Sequence, residues 1–370
     1  MSTIEAEFDP ITSVVSREPA GHYATVAAER ALLWHPERHL WIAAHPDIVR
    51  EVLDNEDCRV RPIDQSIPAH LVGTPAGAAF GRFARMRDGD DHLPSRRAIV
   101  RALATLDPET VRSTTVRLAA DMPTGDLDQY VFELPVRVMG SVLGVPDDEL
   151  AALASWTTAL VGCVHASASE PEIDAGVEAA ANLDRLFGRL LQSPEPPPAL
   201  VAMEEAFHVE GLPTDHAIAN AIGLLFQTHD ATAGLVGNAI VHRIRQPEAG
   251  DDPIDAVVER VALQDPSVHN TRRFVARDTV IAGQRVEAGD TILVVLAAAG
   301  AVEPDRVWTF GHGAHACPGK SIALTIASAA VEAVMGRQAP PIDLPSPMRY
   351  CPLANVRIPV FSPSSEEMTR

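Results

Sequence analysis

The sequence predicts a mainly α fold with small β-sheets, and three observations support this prediction. Helical spacing of apolar residues recurs along most of the chain, whereas strand patterns are confined to three short segments. The longest helical pattern, residues 215–245, is apolar on nearly all sides. A helix that is apolar around its whole circumference is typical of the centre of a protein.

Start and stop signals place the predicted helices along the chain. Asp107 followed by Pro108 is a helix start, and Thr214 after Pro213 is the expected N-cap of the longest helix. The proline-rich segment 194–198 is a connector, because proline removes a backbone donor inside a helix. The predicted helices are 45–53, 91–103, 108–120, 147–161, 175–191, 215–245 and 321–335.

Strand patterns predict segments 39–43, 279–286 and 291–297, the second folded around a turn at Gly283. The sequence contains no internal repeat and no low-complexity segment. We therefore expect one domain over residues 1–370.

Charge and cysteine content restrict the function classes. The net charge of −20 disfavours binding to a phosphate backbone, so we expect no nucleic-acid partner. No apolar run approaches the ~18 residues that suggest a membrane span, so we expect no membrane partner. The four cysteines, Cys58, Cys163, Cys317 and Cys351, are scattered without a paired motif, which indicates a cytoplasmic protein without a disulfide framework.

Residues 310–319 read Phe-Gly-His-Gly-Ala-His-Ala-Cys-Pro-Gly and are the most specific segment of the chain. Gly311, Gly313 and Gly319 allow backbone bends that a Cβ would hinder. Cys317 comes just before the predicted helix 321–335, whose positive end would favour a thiolate. A thiolate on a rigid glycine loop suits the binding of haem iron from one side, whereas the alternative is a buried structural cysteine.

This segment resembles the haem-binding loop of the cytochrome P450 family, in which Phe-Gly-x-Gly-x-His/Arg-x-Cys-x-Gly is fixed. The resemblance covers nearly the whole chain and implies the cytochrome P450 fold with haem b as cofactor. It implies that Cys317 binds the iron as a thiolate. Phe310, His315 and Gly319 would complete the cofactor site on this loop.

Further matches fall on the residues that hold the haem propionates in the family. His92 and Arg96 lie four residues apart and match a His-x-x-x-Arg pattern on one helix face. Arg273 matches a further propionate arginine, and His315 is the fourth match. Val307 replaces a fifth expected partner, a histidine three residues before Phe310.

The oxygen-activating motif of the family is altered. The family's Ala-Gly-x-Asp/Glu-Thr corresponds here to residues 227–231, Gln-Thr-His-Asp-Ala. Asp230 keeps the acid, but Ala231 replaces the alcohol that takes part in proton delivery. Thr228 and Thr232 flank that position, each ~100° away around the helix. Asp230, Gln227, Thr228 and Thr232 are therefore the candidate catalytic residues, and Gln227 and Thr228 would either bind a ligand or crowd the site.

Two structural motifs of the family are also missing. Alignment on Asp265 puts Arg260 and Leu263 where the family has the Glu and Arg of Glu-x-x-Arg. Between Ala298 and Phe310 the chain is shorter than the family's meander segment, so we expect a shortened meander. Losing all members of a buried ionic network can be neutral, whereas losing one is costly.

Three hypotheses follow. The first is a P450-type monooxygenase or oxidative tailoring enzyme that acts on a small natural product in bacterial secondary metabolism. The second is a haem-thiolate enzyme with atypical chemistry, such as peroxide use, rearrangement, dehydration or nitrogen-group transfer, which Ala231 and Gln227 favour. The third is a catalytically inert partner protein, favoured by the missing structural motifs and opposed by the intact cysteine loop.

Two further expectations concern partners. A cluster of arginines could steer an acidic, ferredoxin-type electron donor, or it could be an ordinary solvated surface. The arginines are Arg82, Arg85, Arg87, Arg96, Arg97 and Arg101. The substrate pocket is expected between segments 67–80, 159–175, 226–232 and 266–271, with His70, His165, Gln227, Asn270 and Thr271 as its polar residues.

Overall fold

Helices form most of the computed structural model, which describes residues 9–123, 125–246, 252–336 and 342–362. The longest pattern is one continuous central helix, as predicted, and the other elements pack around it. The helices are α1 (Pro19–Ala27), α2 (Pro46–Asp54), α3 (Pro75–Arg82), α4 (Leu93–Leu103), α5 (Pro108–Asp121), α6 (Leu127–Val142), α7 (Leu150–Cys163), α8 (Glu170–Leu191), α9 (Pro198–Val209), α10 (Thr214–Arg245), α11 (Ile254–Gln264), α12 (Leu296–Val302) and α13 (Lys320–Met335).

The strands form one mixed sheet and two small hairpin-like pairs. They are β1 (Leu33–His35), β2 (Leu40–Ala43), β3 (Cys58–Arg59), β4 (Asn270–Val275), β5 (Thr279–Ile281), β6 (Gln284–Val286), β7 (Thr291–Val295), β8 (Arg349–Tyr350) and β9 (Pro359–Val360). The larger sheet has the order β1-β2-β7-β4-β3, in which only β2 and β7 run parallel. The predicted turn at Gly283 joins β5 to β6 and has a φ of 74°.

Small and polar residues hold α10 close to its neighbours. Asn220 accepts a hydrogen bond from the Ala84 N–H at 2.9 Å and donates to the Arg82 carbonyl at 3.0 Å. A Cβ at Gly234 would lie 2.6 Å from the carbonyl oxygen of Arg357. These close approaches place the middle of α10 firmly in the core.

The predicted start of the longest helix is wrong by one residue. Pro213 is the N-cap of α10, and Thr214 is its first helical residue. Thr214 Oγ1 donates to Glu204 Oε1 at 2.6 Å. The hydroxyl therefore ties α10 to α9 instead of capping its own helix.

Other boundaries differ because local side-chain contacts override periodicity. Helix α8 begins at Glu170, five residues before the predicted start at 175, because Ser169 and Glu172 form a capping box. The predicted strand 291–297 ends at Val295, where α12 begins. Within the described residues, no helix combines the length and the apolar character needed to cross a membrane.

Candidate functional site

The loop that holds Cys317 is a tight turn placed just before α13. Gly311 and Gly313 both have positive φ, 74° and 65°, as the motif predicted. The Cys317 N–H donates to the Phe310 carbonyl at 2.8 Å and closes the loop. Gly319 has an ordinary φ of −98°, so the prediction that it needs a glycine bend is wrong.

The Cys317 side chain is accessible on one side of a crowded site. Burial raises the pKa of this thiol, although the Gly319 N–H, Arg96 and Arg85 act in the opposite direction. The expected thiolate is therefore disfavoured for the free thiol, because desolvation outweighs these favourable contacts. Coordination to a metal ion deprotonates a thiol outright, so iron binding would reverse this balance.

Two arginines near the cysteine loop share one hydrogen-bond acceptor. Arg85 Nη2 and Arg273 Nη1 donate to the same hydroxyl, Thr271 Oγ1, at 3.1 and 3.3 Å. Burial, followed by the charge of Arg85, lowers the pKa of Arg273 to about 9. No carboxylate of the described residues forms an ion pair with Arg85, Arg96 or Arg273.

Two histidines stack beside these arginines. The rings of His92 and His315 lie 4.1 Å apart, centroid to centroid, and nearly parallel. His315 Nε2 contacts Asp88 Oδ1 at 3.2 Å, whereas His315 Nδ1 is buried and has no hydrogen-bond partner in the described chain. Burial, then the neighbouring His315 and Arg96, lowers the pKa of His92 to about 4.

Asp88 is the acidic member of this cluster. Burial alone would raise its pKa, but hydrogen bonds from His315 and from the Val60 N–H outweigh that effect and lower it. The charge of Asp88 also acts on Arg85 and Arg273, so one carboxylate faces two arginines, and His315 Nδ1 has no hydrogen-bond partner among the described residues. A further anion fits here, because buried cations require a counter-charge, and the two carboxylates of a haem supply one.

Helix α10 has one accessible face in an otherwise buried segment. Gln227 is exposed, and Thr228 and Ala231 are partly exposed, on a helix whose other middle residues are mostly buried. Gln227 Nε2 donates to the Gly223 carbonyl at 2.9 Å, which leaves Oε1 as a hydrogen-bond acceptor. Thr232 is only 3% exposed and does not share this face.

Asp230 is engaged by its neighbour in the chain. His229 Nδ1 lies 2.7 Å from Asp230 Oδ1, and His229 Nε2 lies 2.9 Å from Thr158 Oγ1 on α7. The sequence named Asp230 but missed His229 and Thr158. No local pattern links residues 71 positions apart, so only the packing of α7 on α10 reveals this contact.

The residues aligned with the missing Glu-x-x-Arg form no buried ion pair with each other. Arg260 is one-third exposed and pairs with Asp252 at 2.6 Å, and Leu263 is partly buried. The short segment before the cysteine loop is held by other contacts. Thr309 Oγ1 contacts both the N–H and the carbonyl of Val268, at 3.1 and 3.2 Å, and Trp308 packs between the guanidinium groups of Arg306 and Arg50.

Most of the polar residues expected in the substrate pocket bind protein groups. His70 Nε2 contacts the Cys163 carbonyl at 2.8 Å, and Asn270 donates to the Ala354 carbonyl at 2.8 Å. Thr271 belongs to the arginine cluster. Gln227 is the remaining expected polar residue on the accessible face of α10, and His165 lies in the turn after α7.

The arginine cluster predicted as one surface is divided in two. Arg85 and Arg96 face the cysteine site, where both act on the Cys317 thiol. The other four pair with carboxylates. These pairs are Arg82–Asp215, Arg87–Asp91, Arg97–Glu210 and Arg101–Glu210. The sequence therefore missed Arg85 as a site residue, because its sequence neighbours are surface arginines.

Comparisons with known proteins agree with this architecture, although no family model matches the chain. The chain is 27% identical over 301 residues to the cytochrome P450 monooxygenase PikC of Streptomyces venezuelae, covering 71% of this chain and 70% of PikC. It is 23% identical over 281 residues to the mycinamicin IV hydroxylase/epoxidase of Micromonospora griseorubida, covering 68% and 70%. The crystal structure of CalO2 superimposes with a TM-score of 0.80 at 23% identity, covering 96% and 99%.

These relatives confirm the resemblance to cytochrome P450s, and the structural match confirms the predicted fold. Relatives of this kind act on small molecules, so a small-molecule substrate is implied for this chain as well. The chain therefore has the cytochrome P450 fold and is similar to bacterial cytochrome P450s, and these relatives support a P450-type oxidoreductase with a haem bound through a cysteine.

Proposed function

We propose that this protein is a haem b monooxygenase that oxidatively tailors a small natural product in bacterial secondary metabolism. The observation that carries the proposal is the pair Arg85 and Arg96 beside an accessible Cys317, with Arg273 joined to Arg85 through the Thr271 hydroxyl. Such a cluster is unfavourable alone and favourable beside a dianionic cofactor. A natural-product substrate is supported by similarity to the mycinamicin IV hydroxylase/epoxidase.

In this proposal Cys317 binds the iron, and the cationic residues hold the propionates. His92, Arg96, Arg273 and His315 are the residues assigned from the family, and Arg85 joins them on structural grounds. Phe310 and Gly319 form the wall of the loop around the sulfur. The bound haem would supply the redox chemistry, while the protein orients the substrate and moves protons.

The accessible face of α10 supplies the groups that contact the substrate. Gln227 Oε1 accepts a hydrogen bond from a substrate hydroxyl or N–H, because the bond from Nε2 to the Gly223 carbonyl fixes the amide and leaves Oε1 available. Asp230 carries protons at its carboxylate, with Thr228 on the same accessible stretch. Thr232, also proposed from the sequence as a catalytic residue, is less suited to contact the substrate because it is buried.

A ferredoxin-type donor is the proposed electron source. Helix α4 presents Leu93 and Val100, each nearly half-exposed, beside Arg97 and Arg101. Glu210 pairs with both arginines and reduces the net positive charge of this surface. Reduction by a ferredoxin should slow as ionic strength rises if this surface receives an acidic partner.

A second candidate function is haem-thiolate chemistry without conventional oxygen activation. Ala231 favours it, because the accessible face of α10 has no hydroxyl at that position. Product formation with peroxide but not with ferredoxin and dioxygen would identify this alternative. An inert partner protein is disfavoured, since such a protein has no use for a cluster beside a cysteine in which arginines outnumber carboxylates.

The test is the absorption spectrum of the reduced, carbon monoxide-treated protein, with Cys317→Ala and Cys163→Ala compared. Cys163 is a buried cysteine on α7, so its substitution is the matched control. We expect the long-wavelength thiolate band in the wild type and in Cys163→Ala only. A thiolate band in Cys317→Ala would overturn the ligand assignment, and absence of haem from the wild type would overturn the function.

A further inference from the structure

A chain of three side chains joins α7 to the accessible face of α10. Thr158 Oγ1 lies 2.9 Å from His229 Nε2, and His229 Nδ1 lies 2.7 Å from Asp230 Oδ1. His229 is 4% exposed, whereas the side chain of Asp230 is 25% exposed. The chain therefore runs from an exposed threonine on α7, through a buried imidazole, to a carboxylate that solvent or substrate can reach.

Helix geometry alone does not bring the side chains of His229 and Asp230 into contact. Adjacent side chains on a helix point about 100° apart and do not normally face each other. Here both side chains lean towards each other, and the imidazole is fixed from outside α10. Thr158 holds its Nε2, and the ring of Phe132 on α6 packs against it at 5.2 Å between centroids.

Hydrogen-bond chemistry fixes the direction of the chain. An ionised carboxylate only accepts, so His229 Nδ1 carries the hydrogen that points to Asp230. A neutral imidazole then has a lone pair on Nε2, which accepts the Thr158 hydroxyl. The other acceptor near this hydroxyl, the Ala154 carbonyl, is farther away at 3.1 Å.

We propose that His229 is a positioning residue for Asp230 and that Thr158 holds the imidazole of His229 in place. The proposal rests on the proposed function, in which Asp230 carries protons beside Ala231. His229 holds one carboxylate oxygen and leaves the second available at the accessible face. A fixed carboxylate compensates for the missing alcohol at position 231, because proton transfer requires the carrier to stay within hydrogen-bond reach.

The first experiment measures the C–O stretching band of the ferrous carbon monoxide complex, which senses polar groups beside the ligand. His229→Phe keeps a ring against Phe132 but removes both hydrogen bonds, and Thr158→Val removes the hydroxyl. Thr157→Val is the control, since Thr157 is the adjacent threonine and its hydroxyl donates to the Leu153 carbonyl within α7 itself. We expect the band to shift or split in His229→Phe and Thr158→Val, and to stay unchanged in Thr157→Val.

The double variant His229→Phe/Asp230→Asn shows whether His229 acts through Asp230. In an Asp230→Asn protein, adding His229→Phe should cause no further shift, because the group that His229 positions is already changed. An equal shift in both backgrounds would overturn the proposal, as would a band in His229→Phe that matches the wild type.

The tautomer can be measured without any haem chemistry. Nitrogen-15 NMR of labelled histidine, with the His229 signal identified by its loss in His229→Phe, should show hydrogen on Nδ1 in the wild-type protein. Hydrogen on Nε2 alone would overturn the proposal whatever the cofactor content. The thiolate absorption band reports the proposed function separately, so failure of one is distinguishable from failure of the other.

Discussion

At the scale of single residues, the cationic cluster distinguishes a cofactor site from a structural ion network. Arg85 and Arg273 compete for one hydroxyl oxygen, Thr271 Oγ1, instead of pairing with acids. A structural network would place carboxylates between such charges. The cationic cluster should therefore destabilise the haem-free protein and stabilise the haem-bound protein, and both effects can be measured.

The Arg273→Met variant tests that difference. We expect the unfolding free energy of haem-free protein to be unchanged or higher, by up to about 4 kcal/mol, because a desolvated charge is removed. Haem affinity should fall about 10- to 100-fold, as expected for losing a charge-assisted hydrogen bond of about 1.5–3 kcal/mol. Denaturant unfolding of haem-free protein and haem transfer to apomyoglobin measure the two quantities.

Arg272→Met is the control, since Arg272 is the exposed neighbour on the same strand. It should leave haem affinity unchanged. A loss of stability in haem-free Arg273→Met would contradict the argument and show that Arg273 is a structural residue.

The Gly313→Ala variant tests the backbone conformation of the cysteine loop. Gly313 has a φ of 65°, and a Cβ would lie 2.5 Å from Asp54 Oδ1. We expect Gly313→Ala to cost at least about 1–2 kcal/mol of unfolding free energy, because a side chain in this conformation is strained. Gly21→Ala is the control, since no atom lies within 4 Å of the added Cβ. If Gly313→Ala and Gly21→Ala were equally stable in thermal unfolding, a side chain at position 313 would not strain the loop.

The residues that the sequence could name were those in fixed local patterns. Cys317, Phe310 and His315 lie within one ten-residue motif, and His92 with Arg96 share a helix face. Arg85, Thr158 and His229 acquire their contacts only when distant elements pack together. Their partners are separated by long stretches of chain, which periodicity does not link.

At the scale of elements, the short connection between α12 and the cysteine loop replaces the family's meander. Thr309 binds both backbone groups of Val268, and Trp308 packs between Arg306 and Arg50. Arg50 also pairs with Glu303, just after α12. These contacts join the connection to α2 and to the segment before β4 without a buried Glu-Arg pair.

Thr309→Val should weaken this connection. The valine is nearly isosteric but leaves the N–H and carbonyl of Val268 without these partners, at a cost of about 1–3 kcal/mol. Chemical denaturation should show this loss. Thr25→Val removes an exposed hydroxyl bonded within α1 and should change stability by no more than about 0.5 kcal/mol. A loss in Thr309→Val no larger than in Thr25→Val would show that the hydroxyl is dispensable.

Elements with strong periodicity were predictable, and those that depend on packing were not. Helices α2, α5, α10 and α13 lie where the pattern placed them, within one or two residues. Helix α6 was missed, and it contains an internal proline at Pro135. Strand β4 was also missed, because its buried residues do not alternate regularly with exposed ones and it includes two arginines.

At the scale of the whole molecule, the mixed sheet and the helical core are joined by buried polar contacts that local patterns do not predict. Arg357 binds Asp265 and the carbonyls of Val14 and Ser16, and it packs on Tyr350. Tyr23 on α1 contacts His269 Nδ1 at 2.7 Å, just before β4. The mainly α class followed from composition and periodicity, whereas these connections depend on the tertiary arrangement.

His269 makes the stability of the molecule depend on pH in a defined direction. Burial, then the charge of Arg357, lowers the pKa of His269 to about 3, against an ordinary value of 6.5. The unfolded chain therefore binds a proton between these values while the folded chain does not. Its contribution is constant above pH ~6.5 and declines by about 1.4 kcal/mol per pH unit as the pH falls towards 3.

His269→Leu should remove this slope while lowering stability at pH 7 by about 0.5–1.5 kcal/mol, since the hydrogen bond between Tyr23 and His269 Nδ1 is lost. Denaturant unfolding at a series of pH values between 4.5 and 7 measures both effects. His208→Leu, which removes an exposed histidine, is the control for other titrating groups. Parallel stability curves for wild type and His269→Leu would show that folding does not change the protonation of His269, and the contact with Tyr23 would then need a different description.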